Sequence, residues 1–313
     1  MGYDVGNVPF DTFQQHQLKK NEGFDQKARD KEKADNKETF VATADTEALL
    51  ICPLNDANVM FFRTKLNMHN LSFFDLHNKE VLNYVWTETN GDLEASSFVS
   101  CFVDYVKEII AKYPDVKVII LWTDGCGYQN RNSILSSALA NFAKQHKVTI
   151  YQKYLEVGHT HMECDSVHRC IENAKKVFGD VNLPTDYIQL IKSARKNPKP
   201  YGVKYCDYTF FKDYKSVCDV SSIKPCKATG HPYVNDIRQM KYTNTGAIYT
   251  NLTYDDKSWK IVPFKVTLKN RQPVQTRNEP IKLNLSKWTH LQEICEASLN
   301  KDFHWYYEHL AHK

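Results

Sequence analysis

Val116-Lys117-Val118-Ile119-Ile120-Leu121-Trp122 is a near-continuous apolar run that ends in Thr123-Asp124-Gly125-Cys126-Gly127-Tyr128-Gln129-Asn130-Arg131-Asn132. Apolar residues without polar alternation describe a strand covered on both faces. A carboxylate at the C-terminal end of such a strand, followed by glycines and amides, stands where open α/β sheets place ligands. A second run, Val148 to Leu155, precedes Gly158-His159-Thr160-His161-Met162-Glu163-Cys164-Asp165-Ser166-Val167-His168-Arg169-Cys170-Ile171-Glu172. Acids and imidazoles thus gather behind two buried strands, which points to a metal-dependent site.

Working outward, Phe98, Phe102, Val106, Ile109 and Ile110 recur at helical spacing before Pro114. Ile134, Leu135, Leu139, Phe142 and Ala143 mark a second helix, and a third is expected from Cys164 to Val177. Upstream, Thr39 to Ile51 reads as a first strand, Asn58 to Phe74 as a β-rich aromatic stretch, and Tyr84-Val85-Trp86-Thr87 as a third strand. Short links among these three favour antiparallel neighbours. The helical crossovers that follow favour parallel ones. Three strands, helix, strand, helix, strand, helix is the order of an α/β fold with a ribonuclease H-like mixed five-stranded sheet flanked by helices. A Rossmann fold would need a glycine-rich turn and a helix after the first strand.

Residues 1–38 are expected to form a charged N-terminal helix or weakly attached arm, with Lys and acids interleaved from Lys19 to Glu38. Residues 39–197 are expected to form the catalytic-type core, closed by a short helix at Tyr187–Ile191 and by Pro198 and Pro200. Residues 198–313 read as a smaller, basic, β-rich C-terminal region. Its strands are placed at 208–211, 248–254 and 259–268, before a terminal helical segment from Leu291 to Leu310.

The 313 residues carry a net charge of +4, unevenly distributed. Residues 173–313 hold 23 Lys and Arg against 13 Asp and Glu, a net +10, whereas residues 1–172 hold 18 against 24, a net −6. The basic half suits phosphate contacts with DNA; the alternative is an ordinary solvated surface. No apolar run approaches the ~20 residues of a membrane span. No signal-peptide core opens the chain, so a nuclear or cytoplasmic location, not a secreted one, is expected. Nine cysteines without a Cys-x-x-Cys spacing fit reduced thiols better than a disulfide framework.

Carboxylates drawn from separate elements can hold two divalent cations ~3.5–4 Å apart that activate water against a phosphodiester. Asp45 lies on the first strand and Asp124 at the end of the fourth. Asp165 and Glu172 lie seven residues apart on one helical face, with His168 between them. These acids are the candidate catalytic and metal ligands, with Mg²⁺ or Mn²⁺ as the expected cofactor and His168 as an auxiliary proton donor. Gln129, Asn130, Arg131, His159 and His161 are the candidate substrate contacts. Each has a plainer reading: Asp45 as a strand acid, Asp124 as a turn residue or helix cap, Asp165 as a cap, Glu172 as a solvated acid. His159 and His161 would then only orient a loop, and Gln129 and Asn130 would cap the second helix. A zinc site of His159, His161, Cys164 and His168 and a Cys126 or Cys164 nucleophile are the competing chemistries.

Residues 121–132 resemble the "SDNCxGQNKN" signature of a transposon-derived, DUF7869-like family. Residues 158–172 resemble its "GHTxxxxDxxxxxIE" segment, and Tyr84 to Glu88 its "YxWxE". The resemblance covers about residues 35–200. It implies a transposase core with Asp45, Asp124 and either Asp165 or Glu172 as metal ligands. The sequence departs from that pattern at Asp45-Thr46-Glu47, where "DLQ" is usual, and at Gly125, where Asn is usual; no N-terminal zinc or helix-turn-helix module is recognisable. The expected function is metal-dependent DNA strand cleavage or transfer. The alternative is a catalytically inactive, domesticated module that binds nucleic acid or protein. A homo-oligomer is compatible with either.

Overall fold

A computed structural model describes residues 10–156, 162–218, 220–224, 233–263 and 273–313, with side chains from residue 17 onward. It is a mixed α/β molecule. Among the described residues there are eight helices and one ten-stranded sheet ordered β10-β9-β8-β6-β5-β1-β3-β4-β7, with β2 on β3. The strands are β1 (Thr39–Thr46), β2 (Leu50–Cys52), β3 (Leu66–Asp75), β4 (Val81–Thr87), β5 (Val118–Thr123), β6 (Thr149–Tyr154), β7 (Gly202–Tyr205), β8 (Gln239–Tyr242), β9 (Ile248–Asn251) and β10 (Lys260–Ile261). The helices are α1 (Phe10–Lys33), α2 (Val59–Phe62), α3 (Ala95–Lys112), α4 (Ser133–His146), α5 (Glu163–Phe178), α6 (Pro184–Ser193), α7 (Leu285–Ser298) and α8 (His304–Glu308).

The centre of the sheet follows from pattern and link length. β1 and β3 are antiparallel, as are β3 and β4, while β1–β5 and β5–β6 are parallel. Each central strand buries both faces. Phe40, Ala42 and Ala44 of β1 join Ile119 and Leu121 of β5 in one core, packed against residues of α3 and α4. Val41, Ile120 and Trp122 join a second core with Cys164, Val167 and Ile171 of α5. The stretch 58–74 is not one strand. Val59–Phe62 forms a helical turn with Met60 buried and Phe61 and Phe62 exposed, and pairing begins at Leu66.

Residues beyond 198 add to this same sheet. β7 pairs with β4 at one edge, and β8 pairs with β6 at the other. Tyr208–Phe210 is a 3₁₀ turn instead of a strand, because Asp207 caps it by accepting from the Thr209 and Phe210 amides at 2.8 and 3.2 Å. The expected strand at 259–268 is a two-residue pairing at Lys260–Ile261, and residues 264–268 lie outside the described residues. Among the described residues no helix is long and apolar enough to cross a membrane.

The N-terminal helix is anchored, which corrects the expectation of a weakly attached arm. Asp30 has 0% exposure. It accepts from Lys153 Nζ of β6 at 2.7 Å, Trp122 Nε1 of β5 at 3.2 Å and Lys33 Nζ at 2.9 Å. The polar composition of α1 concealed one acid that reaches the sheet. Burial pushes the Lys153 ammonium below the ordinary lysine range, and Asp30 opposes that shift. Removing one partner of a buried pair strands the other charge and costs about 3–5 kcal/mol. Asp30→Ala is therefore expected to lower the unfolding free energy by about that amount in urea titrations. Adding Lys153→Met should recover most of it; a double variant as unstable as the single one would refute the anchoring role.

Candidate functional site

Strand alternation aims the two strand-end acids. Thr43 of β1 faces α5, with its Oγ1 3.5 Å from Cys164 Sγ, so Asp45 two residues later faces the same side. On β5, Ile120 and Trp122 face that side, and Asp124 continues the alternation. Thr43 pairs with Trp122 in the β1–β5 register, and two residues further along Asp45 is level with Asp124. Both acids thus share one face and one end of the sheet.

Each carboxylate is partly committed. Asp45 Oδ1 accepts from the Thr46 amide at 2.9 Å. Asp124 Oδ1 accepts from the Cys126 amide at 3.0 Å and from Asn130 Nδ2 at 2.9 Å. The Asp45 carboxyl is pushed up to about 7, first by burial and then by the Asp124 charge, with a smaller contribution from Asp165 and partial opposition from the Thr46 amide. Asp124, just after β5, and Asp165 of α5 thus both bear on Asp45 of β1.

The two acids of α5 separate. Asp165 lies in the first turn and accepts from the Met162 amide at 2.9 Å, capping the helix. Glu172 is two turns further, roughly 10 Å along the axis. It pairs with Lys175 at 2.6 Å, and its charge falls on Glu47. Asp165 is the α5 acid beside Asp45. His168 lies between them, its Nε2 3.1 Å from Ser72 Oγ, and Ser72 pairs with Asp45 across β1 and β3. Burial lowers His168 to about 4, with Asp165 opposing, so its ring is neutral near pH 7 and suits a hydrogen bond better than an acid's role.

Of the candidate substrate contacts, Gln129 bridges β1 to the turn after β5, its Oε1 accepting from Thr46 Oγ1 at 3.4 Å. Asn130 and Arg131 are buried at 4% and 3% exposure, and they brace that turn from within. His159 and His161 lie outside the described residues.

Glu47 escaped the sequence reading. It is buried, accepts from Asn70 Nδ2 at 2.8 Å, and is pushed up to about 7, mainly by burial and secondarily by Glu172, with Asn70 opposing. Asn70 Nδ2 also donates to Asn83 Oδ1 at 3.2 Å, which accepts from Ser72 Oγ at 2.7 Å. A buried polar chain thus runs from Glu47 through Asn70, Asn83 and Ser72 to His168. The Asp45-Thr46-Glu47 spacing, two residues apart on a strand, is the signal that could have found it.

Magnesium and manganese take oxygen ligands, and magnesium is often held by one or two carboxylates completed by water and substrate phosphates. Asp45 and Asp124 fit that donor set, since their mutual repulsion is what a cation relieves. Among the described residues no three His, Cys, Asp or Glu side chains lie together as an ion cage, so water or phosphate would have to complete the shell. Zinc fits poorly. Cys164 is buried, engages the Thr43 and Ser72 carbonyls at 3.6 and 3.4 Å, and has its thiol pushed up by burial; His168 is engaged with Ser72. Burial also raises the Cys126 thiol, with Asp124 adding to it, and a nucleophilic cysteine needs the opposite shift.

Residues 50–197 match a family model described as a domain of unknown function (DUF8701). That finding corrects the DUF7869-like resemblance, and with it the transposase core that the resemblance implied. No curated protein and no solved structure matches the chain.

Asp45 and Glu47 bind protons more tightly in the folded chain than when unfolded, where carboxyls titrate near 4. The stability they contribute is full below that value and is lost as pH rises through about 7. His69 and His168, lowered to about 4, act in the opposite sense below about pH 6.5. Between about pH 6.5 and 8 the unfolding free energy should fall by roughly 1 kcal/mol per acid. Asp45→Asn and Glu47→Gln should each flatten that slope in denaturant titrations; slopes identical to the parent's would contradict the assigned shifts.

Proposed function

We propose that this chain binds DNA and cleaves or transfers a strand of it with the aid of Mg²⁺ or Mn²⁺, on a ribonuclease H-like arrangement of β4-β3-β1-β5-β6. The observation that carries the reading is the convergence of Asp45 and Asp124 at one end of the sheet beside Asp165, with the Asp45 carboxyl pushed up to about 7 first by burial and then by the Asp124 charge. The mixed pairing of those five strands supports it. So does the basic excess of residues 173–313, with 23 Lys and Arg against 13 Asp and Glu.

In this reading Asp45 and Asp124 would hold a divalent cation from the ends of adjacent strands, where it would supply positive charge for a phosphate and make a water more acidic. Asp124 keeps its direction because Cys126 and Asn130 bond one of its oxygens. Asp165 caps α5 with Oδ2 and adds negative charge beside Asp45. His168, neutral and bonded to Ser72, fixes the β3 side of the site. Lys and Arg of the C-terminal half contact the DNA backbone. The absence of a three-ligand cage among the described residues favours a second reading, a module that binds nucleic acid without cleaving it.

Asp124→Asn keeps the side chain's shape and removes the charge that holds a cation. It should abolish Mn²⁺- or Mg²⁺-dependent cleavage of a labelled duplex while leaving the circular-dichroism spectrum and DNA affinity unchanged. Full cleavage by the variant would reject the metal assignment, and a parent inert with both metals would favour the binding-only module. DNA affinity should also fall steeply with salt, log K changing against log[salt] by about −0.9 per neutralised phosphate on a duplex. A salt-independent affinity would leave the positive charge as ordinary surface.

A further inference from the structure

The turn that carries Asp124 is built around a buried guanidinium. The Cys126 carbonyl accepts from the Asn130 and Arg131 amides at 2.9 and 3.0 Å, closing the loop between β5 and α4. Gly125 has φ +75°, a conformation other residues rarely adopt. The Arg131 side chain folds back onto it. A Cβ on Gly125 would stand 2.1 Å from Nη2, 2.6 Å from Cζ and 2.8 Å from Nε. From the other side Nη1 donates to the Asn235 carbonyl at 3.1 Å, and the guanidinium lies 4.3 Å from the centre of the Tyr154 ring.

Arg131 Nε and Nη2 are buried and have no hydrogen-bond partner among the described residues. A structural arginine ordinarily spends its N–H groups on acceptors, because leaving buried donors unpaired is costly. Here two are left bare against the backbone that joins Asp124 to Cys126. Burial disfavours the charge on this guanidinium and Arg238, itself paired with Glu156, adds to that, while Tyr154, Asp124 and Tyr254 oppose it.

We infer that Arg131 is a positioning residue of the acid site: packed against Gly125, it fixes the backbone that carries the Asp124 carboxylate. It does not touch substrate, being 3% exposed. The functional part of this inference rests on the proposed cation site, whereas the packing part does not.

The test compares parent, Arg131→Met, Arg131→Lys, Gly125→Ala and the Gly125→Ala/Arg131→Ala pair beside Arg131→Ala. Two readouts are used: hydrogen exchange over residues 124–131, and Mn²⁺ binding followed by the paramagnetic signal of free Mn²⁺. Arg131→Met should exchange faster across the turn and bind Mn²⁺ roughly 10-fold more weakly, the usual scale for groups that orient a ligand. Arg131→Lys, which keeps the charge but not the planar group packed on Gly125, should recover neither the exchange protection nor the Mn²⁺ affinity, and full recovery by lysine would overturn the packing role. Gly125→Ala should do less harm in the Arg131→Ala background than in the parent, because the new methyl then meets empty space. Parent-like exchange and affinity in Arg131→Met would overturn the inference. So would additive effects in the double variant, which decides the matter even if Arg131→Met fails to fold. If the parent binds no Mn²⁺, the proposed cation site falls with the functional part of this inference, and the exchange and coupling results judge the packing.

Discussion

β1 and β5 lie side by side and run the same way, and this pairing governs where the chemistry can stand. Parallel neighbours end at the same edge, so acids placed at their C-terminal ends meet without any loop having to carry them. The pairing requires both strands to be covered on both faces, and the two cores do that, with α3 and α4 on one side and α5 on the other. Asp30 completes the cover by drawing α1 onto β5 and β6. Loss of either layer would expose apolar strand surface before it disturbed an acid.

The polar residues on the α5 face oppose that stability. Asp45 and Glu47 each have their carboxyl pushed up to about 7, mainly by burial, and two acceptors of the Glu47–Asn70 pair, Glu47 Oε1 and Asn70 Oδ1, are buried with no partner among the described residues. An apolar pair at these positions would be cheaper to bury. Folded proteins tolerate such groups where a proton, cation or ligand completes them, and perturbed acids gather at functional sites for that reason. The polar chain from Glu47 to His168 links strands β1, β3 and β4 to α5, so the same bonds that carry this cost also fix the helix bearing Asp165.

The centre of the sheet was legible because its signals are local. Ile119 to Trp122 can only be a buried strand, and the shift to helical spacing at Phe98 announces the crossover. Asp124 was legible for the same reason, standing where the apolar run stops. What could not be read depends on distant partners. β8 has four residues, Gln239 to Tyr242, with no length or pattern of its own, and is a strand because β6 offers an open edge. Asp30 looks like any acid of a charged helix until Lys153 arrives from 123 residues away. Arg131, read as a substrate contact from its place beside two amides, turns inward because Gly125 leaves it room. Family assignment failed differently: the motifs behind the resemblance span a dozen or so residues each, whereas the family model that matches spans residues 50–197.

Asp165 has two tasks, capping α5 and standing beside Asp45 at the acid site. A carboxylate has two oxygens and about four acceptor positions, and the Met162 amide occupies Oδ2. The cap also fixes the side chain's direction, which an uncapped surface acid would lack. Helix N-termini favour negative charge nearby, and the Asp165 carboxylate at the α5 terminus contributes to raising Asp45. Glu172 has neither advantage: it lies two turns along the helix, bonded to Lys175, and spends its charge on Glu47. The division of labour on α5 follows from helix geometry, with its first turn at the strand ends and its later turns over β1 and β3.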